Sequence, residues 1–163
     1  MNRARLRLGR HSHIGHAYVL TTVTHGRRRY FDVPTAAQVV MDVHHRIDTE
    51  GLTQSLAYVV MPDHIHWLVE LRAFSLNYIM QRFKSSSALQ VNRMLGQSGR
   101  FWQSGYHDHA IRSDESLFRH AMYVLGNPIR AGLTTQLGEY PHAWCRWELA
   151  GDSQVLKHQG TER

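Results

Sequence analysis

Apolar residues recur along this chain with two periods, near two in some stretches and near 3.6 in others, and the switches between them mark the elements. Ala17 to Thr24 is a run of β-branched and aromatic residues, a first strand. Pro34 opens a helix to about Asp48, with Val39, Val40, Val43 and Ile47 at helical spacing. Ser55 to Met61 and Ile65 to Leu71 are two strands that meet at the turn dipeptide Pro62-Asp63. A longer helix is predicted from Leu76 to Leu95, capped by Ser75 and stopped by Gly96. Tyr106 to Arg112 reads as a fourth strand. Asp114 to Gly126 reads as a third helix, with Ser113 as its cap and Asp114 and Glu115 in its first turn. The order βαββαβ followed by α predicts an α+β fold, a ferredoxin-like or RRM-like sandwich with an antiparallel sheet and one additional C-terminal helix. Residues 1–14 form a basic N-terminal arm in this reading, 15–147 a single domain and 148–163 a polar tail.

Two patterns inside these elements carry chemistry. His64 and His66 alternate in a strand, so both project to one face while Ile65 and Trp67 project to the other. Two neutral imidazoles on a rigid strand can bind one cation, although without a third ligand they read equally as a pair of half-exposed histidines. In the third helix Leu117, Phe118, Ala121, Met122 and Leu125 form one stripe. At about 100° per residue, Tyr123 falls roughly opposite that stripe, with Asn127 one turn further on. Pro128 disfavours helix at Asn127, so both residues are expected near the helix terminus. A surface tyrosine beside a helix stop is the plain alternative.

Charge adds a partner class. The 163 residues carry 19 Lys and Arg against 13 Asp and Glu, and only Lys84 and Lys157 are lysines. A guanidinium-dominated excess suits phosphate, and so nucleic acid, as well as simple solubility. Residues 1–31 contain Arg3, Arg5, Arg7, Arg10, Arg27, Arg28 and Arg29 and no acid, an asymmetry that a merely solvated surface does not require. Cys145 is the single cysteine, which excludes an internal disulfide and a cysteine zinc cluster and fits a reducing cytoplasm. No apolar run approaches the ~20 residues of a membrane span, and the Arg-rich start lacks the apolar core of a secretion signal.

Four segments then occur in a telling order: Met61-Pro-Asp-His-Ile-His-Trp-Leu-Val69, Gln81-Arg-Phe-Lys-Ser85, Phe101-Trp-Gln-Ser-Gly-Tyr-His-Asp-His-Ala-Ile-Arg112, and Tyr123-Val-Leu-Gly-Asn-Pro-Ile-Arg-Ala-Gly-Leu133. Together they resemble the REP-associated tyrosine transposases of the single-tyrosine HUH nuclease superfamily, over roughly residues 15 to 145. The resemblance implies an RRM-like domain that cuts and rejoins single-stranded DNA at palindromic REP or BIME-type hairpins. It implies His64 and His66 as metal ligands, Tyr123 as the nucleophile forming a 5′-phosphotyrosine, and Mg²⁺ or Mn²⁺ as the cofactor. Asn127 stands where related enzymes place a third polar ligand, often Gln. The family also implies a self-contained monomer in the bacterial cytoplasm, associated with the nucleoid, although a dimer stays open.

On this reading the Arg3, Arg5, Arg7 and Arg10 arm and the Arg27 to Arg29 triplet are expected to grip hairpin phosphates. Arg82, Lys84, Arg112 and Arg130 are expected to line the same face, and Trp102 and Tyr106 to stack on unpaired bases, with a core role for Trp102 equally open. His120 could move a proton from Tyr123. His107 and His109 form a second alternating pair that geometry alone could make the metal site. Two other function classes remain in view, an RRM-like hairpin-binding module without catalysis and a zinc hydrolase with a distant third histidine.

Overall fold

β2 (Thr53–Met61) holds six consecutive fully or nearly buried residues, Leu56 to Met61, and a strand can be that apolar only if both faces of its sheet are covered. The computed structural model, which describes residues 11–149, has that arrangement. Its sheet runs β4-β1-β3-β2-β5, antiparallel throughout, with β1 Ala17–Val23, β3 His64–Leu71, β4 His107–Ala110 and β5 Ala143–Cys145. The first four strands have the ferredoxin-like order expected for βαββαβ, and β5 adds an edge beside β2.

One face is covered by α1 (Pro34–Thr49) and α2 (Leu76–Leu95), whose Val40, Val43, Ile79 and Phe83 meet Tyr58, Val60, Ile65 and Trp67. The other is covered in part by α3 (Leu117–Leu125), whose Ala121 and Val124 pack with Leu56, Val59, Met61 and Leu68. A bulge between Ser55 and Ala57 puts Leu56 and Ala57 both on the α3 side. The Asp48 carboxylate at the end of α1 accepts from the Ser55 backbone N–H (3.0 Å) and from the Thr53 hydroxyl (2.6 Å), which pins the start of β2.

The caps of α2 are those its sequence announces. The Ser75 hydroxyl accepts from the Tyr78 N–H at 3.2 Å, and Gly96 ends the helix at φ 64°, a left-handed conformation that costs glycine little. α3 begins later than its sequence suggests. Ser116 is the cap, accepting from the Arg119 N–H at 3.2 Å, while Ser113 to Glu115 lie in the preceding turn, where the Glu115 carboxylate accepts from the Arg112 N–H. Asp114 and Glu115 are thus outside the first helical turn. The helix stops at Leu125, but Pro128 does not end helical geometry altogether. After Gly126 a short turn, α4 (Asn127–Arg130), starts with Pro128 in its first turn.

His44 is the anomaly of the core. It is fully buried among Tyr58, Trp67 and Phe83, with ring centroids 4.4, 4.5 and 4.7 Å away, and neither ring nitrogen has a hydrogen-bond partner among the described residues. Burial, and then the neighbouring His45, hold its pKa well below the usual imidazole value. Folded His44 therefore stays neutral while the unfolded chain takes up a proton below about pH 6.5, so stability is present above that pH and is lost as pH falls through it. His44→Phe should stabilise the fold by about 1–2 kcal/mol at neutral pH by removing two unsatisfied polar atoms. It should gain about 1 kcal/mol more by pH 5.5, and urea melts of both proteins at the two pH values would check it.

Candidate active site

Residues directly opposite in an antiparallel pair share a face, so the register assigns the site its side of the sheet. His66 of β3 lies opposite Thr21 of β1 and Val59 of β2, and His64 opposite Val23 and Met61. Val59 and Met61 belong to the α3-side cluster. Both histidines therefore project to the face on which α3 packs, while Ile65 and Trp67 fill the opposite core.

Each imidazole is held through Nδ1. His64 Nδ1 is 2.6 Å from Asp63 Oδ1, and since a carboxylate only accepts, that nitrogen is the donor of the pair. His66 Nδ1 is 2.9 Å from the Thr21 hydroxyl. The two rings stand nearly perpendicular with centroids 4.9 Å apart. Burial, then His64 and Arg130, lower the pKa of His66 to about 4, so it is a neutral imidazole across the physiological range. Burial pushes the Asp63 carboxyl up, but the hydrogen bond and charge of His64, together with Arg27, outweigh it and leave Asp63 below the usual carboxylate value. Metal-binding histidines have this form, with the outward nitrogen free and the inner one anchored by a carboxylate or hydroxyl.

Tyr123 projects from the outer side of α3 and is 66% exposed, whereas Ala121, Val124 and Leu125 are buried. Its hydroxyl has no hydrogen-bond partner among the described residues. The guanidinium of Arg130 lies 4.0 Å from its ring centroid. Asn127 is half-buried, and its amide Nδ2 donates to the Val124 carbonyl at 2.8 Å, which leaves Oδ1 as its acceptor. Two imidazole Nε2 atoms and one amide oxygen suit a small divalent cation that completes its shell with phosphate oxygens and water. Among the described residues no three His, Cys, Asp or Glu side chains converge, so a zinc hydrolase with a third histidine has no such triad here.

The other predicted contacts divide by position. Arg27 stands at φ 51° in a 3₁₀ turn (His25–Arg27), 3.5 Å from Asp63. The backbone bonds Thr24 N–H to Asp63 O and Phe31 N–H to Pro62 O tie its loop to the histidine turn. Arg28 and Arg29 are exposed on the same loop, Arg28 donating to Tyr30 Oη at 3.3 Å and Arg29 to Asp32 at 2.7 Å. Arg112 is exposed beside Asp114. Arg82, on α2, pairs with Glu50 at the end of α1, and Lys84 donates to the Gln103 and Gly105 carbonyls at 2.6 and 2.7 Å. Both lie on the helix layer behind the sheet, so the expectation that they share a face with Arg130 is wrong. Trp102 is corrected too. It is buried among Phe31, Phe83 and Phe101 with its indole N–H on Ser87 Oγ at 3.0 Å, and is unavailable for stacking on bases. Tyr106 is half-buried and donates to Asn77. Arg3, Arg5, Arg7 and Arg10 lie outside the described residues.

His107 and His109 face the same side as His64 and His66, opposite Thr21 and Val19, but β1 separates them from β3, about 10 Å at the usual strand spacing. His109 faces His120 with ring centroids 6.1 Å apart, and His120 Nε2 sits 2.8 Å from Glu115. His120 is thus engaged by Glu115, on the turn before α3. Asp63 and Thr21 were not among the predicted site residues. Asp63 was findable as the residue between the turn proline and His64, whereas Thr21 is paired with His66 only through a register 45 residues away.

The sequence profile of the IS200-like transposases matches residues 12–124, more than two thirds of the chain. The chain belongs to the IS200-like transposase family. Within it, the chain is 25% identical over 135 residues to the REP-associated tyrosine transposase of Escherichia coli K12, covering 79% of this chain and 76% of that one. It is 27% identical over 101 residues to a Haemophilus influenzae protein provisionally named a REP-associated tyrosine transposase. That match covers 55% of this chain and spans only 57% of the Haemophilus protein. A solved REP-associated tyrosine transposase bound to a REP hairpin superposes with a TM-score of 0.68 at 22% identity, covering 82% of this chain and 79% of that one, a likeness of fold. Among the described residues no helix is long and apolar enough to cross a membrane.

Proposed function

We propose that this chain is a metal-dependent single-stranded DNA endonuclease and strand transferase acting at palindromic REP-type hairpins through a 5′-phosphotyrosine. The observation that carries this reading is the meeting, on one sheet face, of two Nδ1-anchored histidines with a helix that turns an exposed, unpartnered tyrosine hydroxyl to solvent. A divalent ion, Mg²⁺ or Mn²⁺, held by His64, His66 and Asn127 would polarise the scissile phosphate and offset its developing charge. The residues do the rest. Tyr123 Oη forms a bond to phosphorus as the bond from phosphorus to the 3′ oxygen breaks, the phenolic proton passes to water, and the departing 3′ oxygen takes up a proton from water to end as a 3′-hydroxyl. Because the phosphotyrosine conserves the ester, the 3′-hydroxyl of another strand can reverse the step, and no nucleotide triphosphate is needed.

The Arg27 to Arg29 loop, tied to the Pro62-Asp63 turn, puts positive charge beside the histidines where a hairpin phosphate backbone would pass. The resemblance to the REP-associated transposases favours a self-contained monomer with Tyr123 acting in cis, working in the bacterial cytoplasm at the nucleoid. A catalytically silent RRM-like module fits less well, because such modules stack bases on aromatics of an open sheet face. Here α3 lies on that face, and the described strand residues facing it beside His64 and His66 are Thr21, Val23, Val59 and Met61. The test incubates the protein with single-stranded hairpin DNA and Mn²⁺ and maps any protein-linked fragment. A 5′-linked adduct on Tyr123 is expected, and binding without an adduct would leave only the hairpin-binding module.

A further inference from the structure

We propose that Arg130 is a positioning residue for the nucleophile, its guanidinium fixing the ring of Tyr123, and that Gly126 is glycine to leave that guanidinium room. The proposal rests on Tyr123 being the nucleophile. A tyrosine two-thirds exposed on a helix surface has several rotamers open to it, and in-line attack on a phosphate needs Oη held in one of them. Arg130 restrains it from two directions. The guanidinium carbon stands 4.0 Å from the ring centroid, and Nη2 donates to the backbone carbonyl of Tyr123 itself at 2.5 Å. The planar cation is therefore anchored to the residue whose ring it covers, one face of the ring is occupied, and the hydroxyl edge stays open.

The local chain is built for this contact. α3 stops at Leu125, and the restart at Asn127-Pro128 brings the side chain seven positions after Tyr123 back over it. Gly126 has ordinary right-handed helical angles, φ −78° and ψ −6°, so its backbone does not call for glycine. A Cβ there would come within 2.7 Å of Arg130 Nη1 and 3.3 Å of the Met122 carbonyl oxygen, so the guanidinium would have to move from its place over the ring.

Two plainer roles make different predictions. A cation at a helix C-terminus caps its carbonyls and stabilises the helix, and a surface arginine in a DNA-binding protein contacts phosphate. The experiment compares wild type, Arg130→Gln, Arg130→Lys and Gly126→Ala. It reads the single-turnover rate of adduct formation at saturating hairpin DNA, the hairpin Kd with its salt dependence, the melting temperature, and the ¹⁹F spectrum of 3-fluorotyrosine placed at position 123. Positioning predicts a loss of about tenfold in adduct rate for Arg130→Gln, partial recovery with Lys, which lacks the planar face, and Kd within twofold. Gly126→Ala displaces the flexible end of Arg130 without removing its charge, so it should show the same rate loss, the same ¹⁹F shift, and an unchanged melting temperature.

Adduct rates at the wild-type level in both Arg130→Gln and Gly126→Ala would reduce Arg130 to a helix cap and overturn the proposal. A weaker Kd and shallower salt slope in Arg130→Gln, with Gly126→Ala at wild-type rate, would make it a phosphate contact. A wild type that forms no adduct would instead overturn the nucleophile reading, and the proposal with it.

Discussion

Tyr123→Phe is expected to abolish the protein–DNA adduct of the proposed reaction, lowering strand cleavage by at least ~10³-fold, and to leave hairpin affinity within about twofold. The size of the effect follows from covalent catalysis, in which no other group can take the nucleophile's place in forming the intermediate. The cleanness of the variant follows from the structure. Tyr123 is exposed, its hydroxyl has no hydrogen-bond partner among the described residues, and the Arg130 guanidinium lies over its ring, a contact that phenylalanine retains. Folding stability should therefore change by no more than about 0.5 kcal/mol. Denaturing gels with end-labelled hairpin DNA, together with thermal melts, read both quantities. An adduct that survives the substitution would move the nucleophile elsewhere and detach α3 from the chemistry.

The elements most legible in the sequence were those decided by local rules. α2 begins and ends at its expected cap and stop because a serine hydroxyl on a free N–H and a glycine at positive φ act within one turn. The alternation of His64 and His66 placed them on one face because the strand period of two leaves no other choice. Less legible was whatever depended on partners far along the chain. Ser113 and Ser116 are equally good caps, and Ser116 is used because Glu115 turns back to the Arg112 N–H and to His120. β5 is three residues long and exists through its pairing with Ala57 to Val59, more than 80 residues earlier, so no local pattern announces it. Trp102 balances between core and surface in sequence terms, and is settled by Ser87, a buried hydroxyl on α2 that faces the indole. The arginines likewise sort by which layer their element joins, a property of topology and not of charge.

His66→Ala should be the other large loss, removing Mn²⁺-dependent cleavage to the level seen with chelator while hairpin binding persists. The argument turns on what holds the ring. The Thr21 hydroxyl lies 2.9 Å from Nδ1, and that contact fixes which nitrogen faces outward. Thr21→Val keeps the shape of the side chain and removes the contact, so it should weaken apparent Mn²⁺ affinity by about 10–100-fold, as the loss of groups that orient metal ligands does. At saturating Mn²⁺ its cleavage should recover, whereas His66→Ala should not recover at any concentration. The pH profile supplies an independent reading. An ordinary imidazole takes up a proton, and so stops being a ligand, as pH falls through about 6.5. His66, lowered to about 4 by burial, His64 and Arg130, stays neutral through that range, so protonation of His66 should cost no metal-dependent cleavage between pH 8 and about pH 5. Recovery of His66→Ala by excess Mn²⁺, or Thr21→Val with wild-type metal dependence, would assign the metal to other residues, and His107 with His109 on the same face would be the next pair to remove.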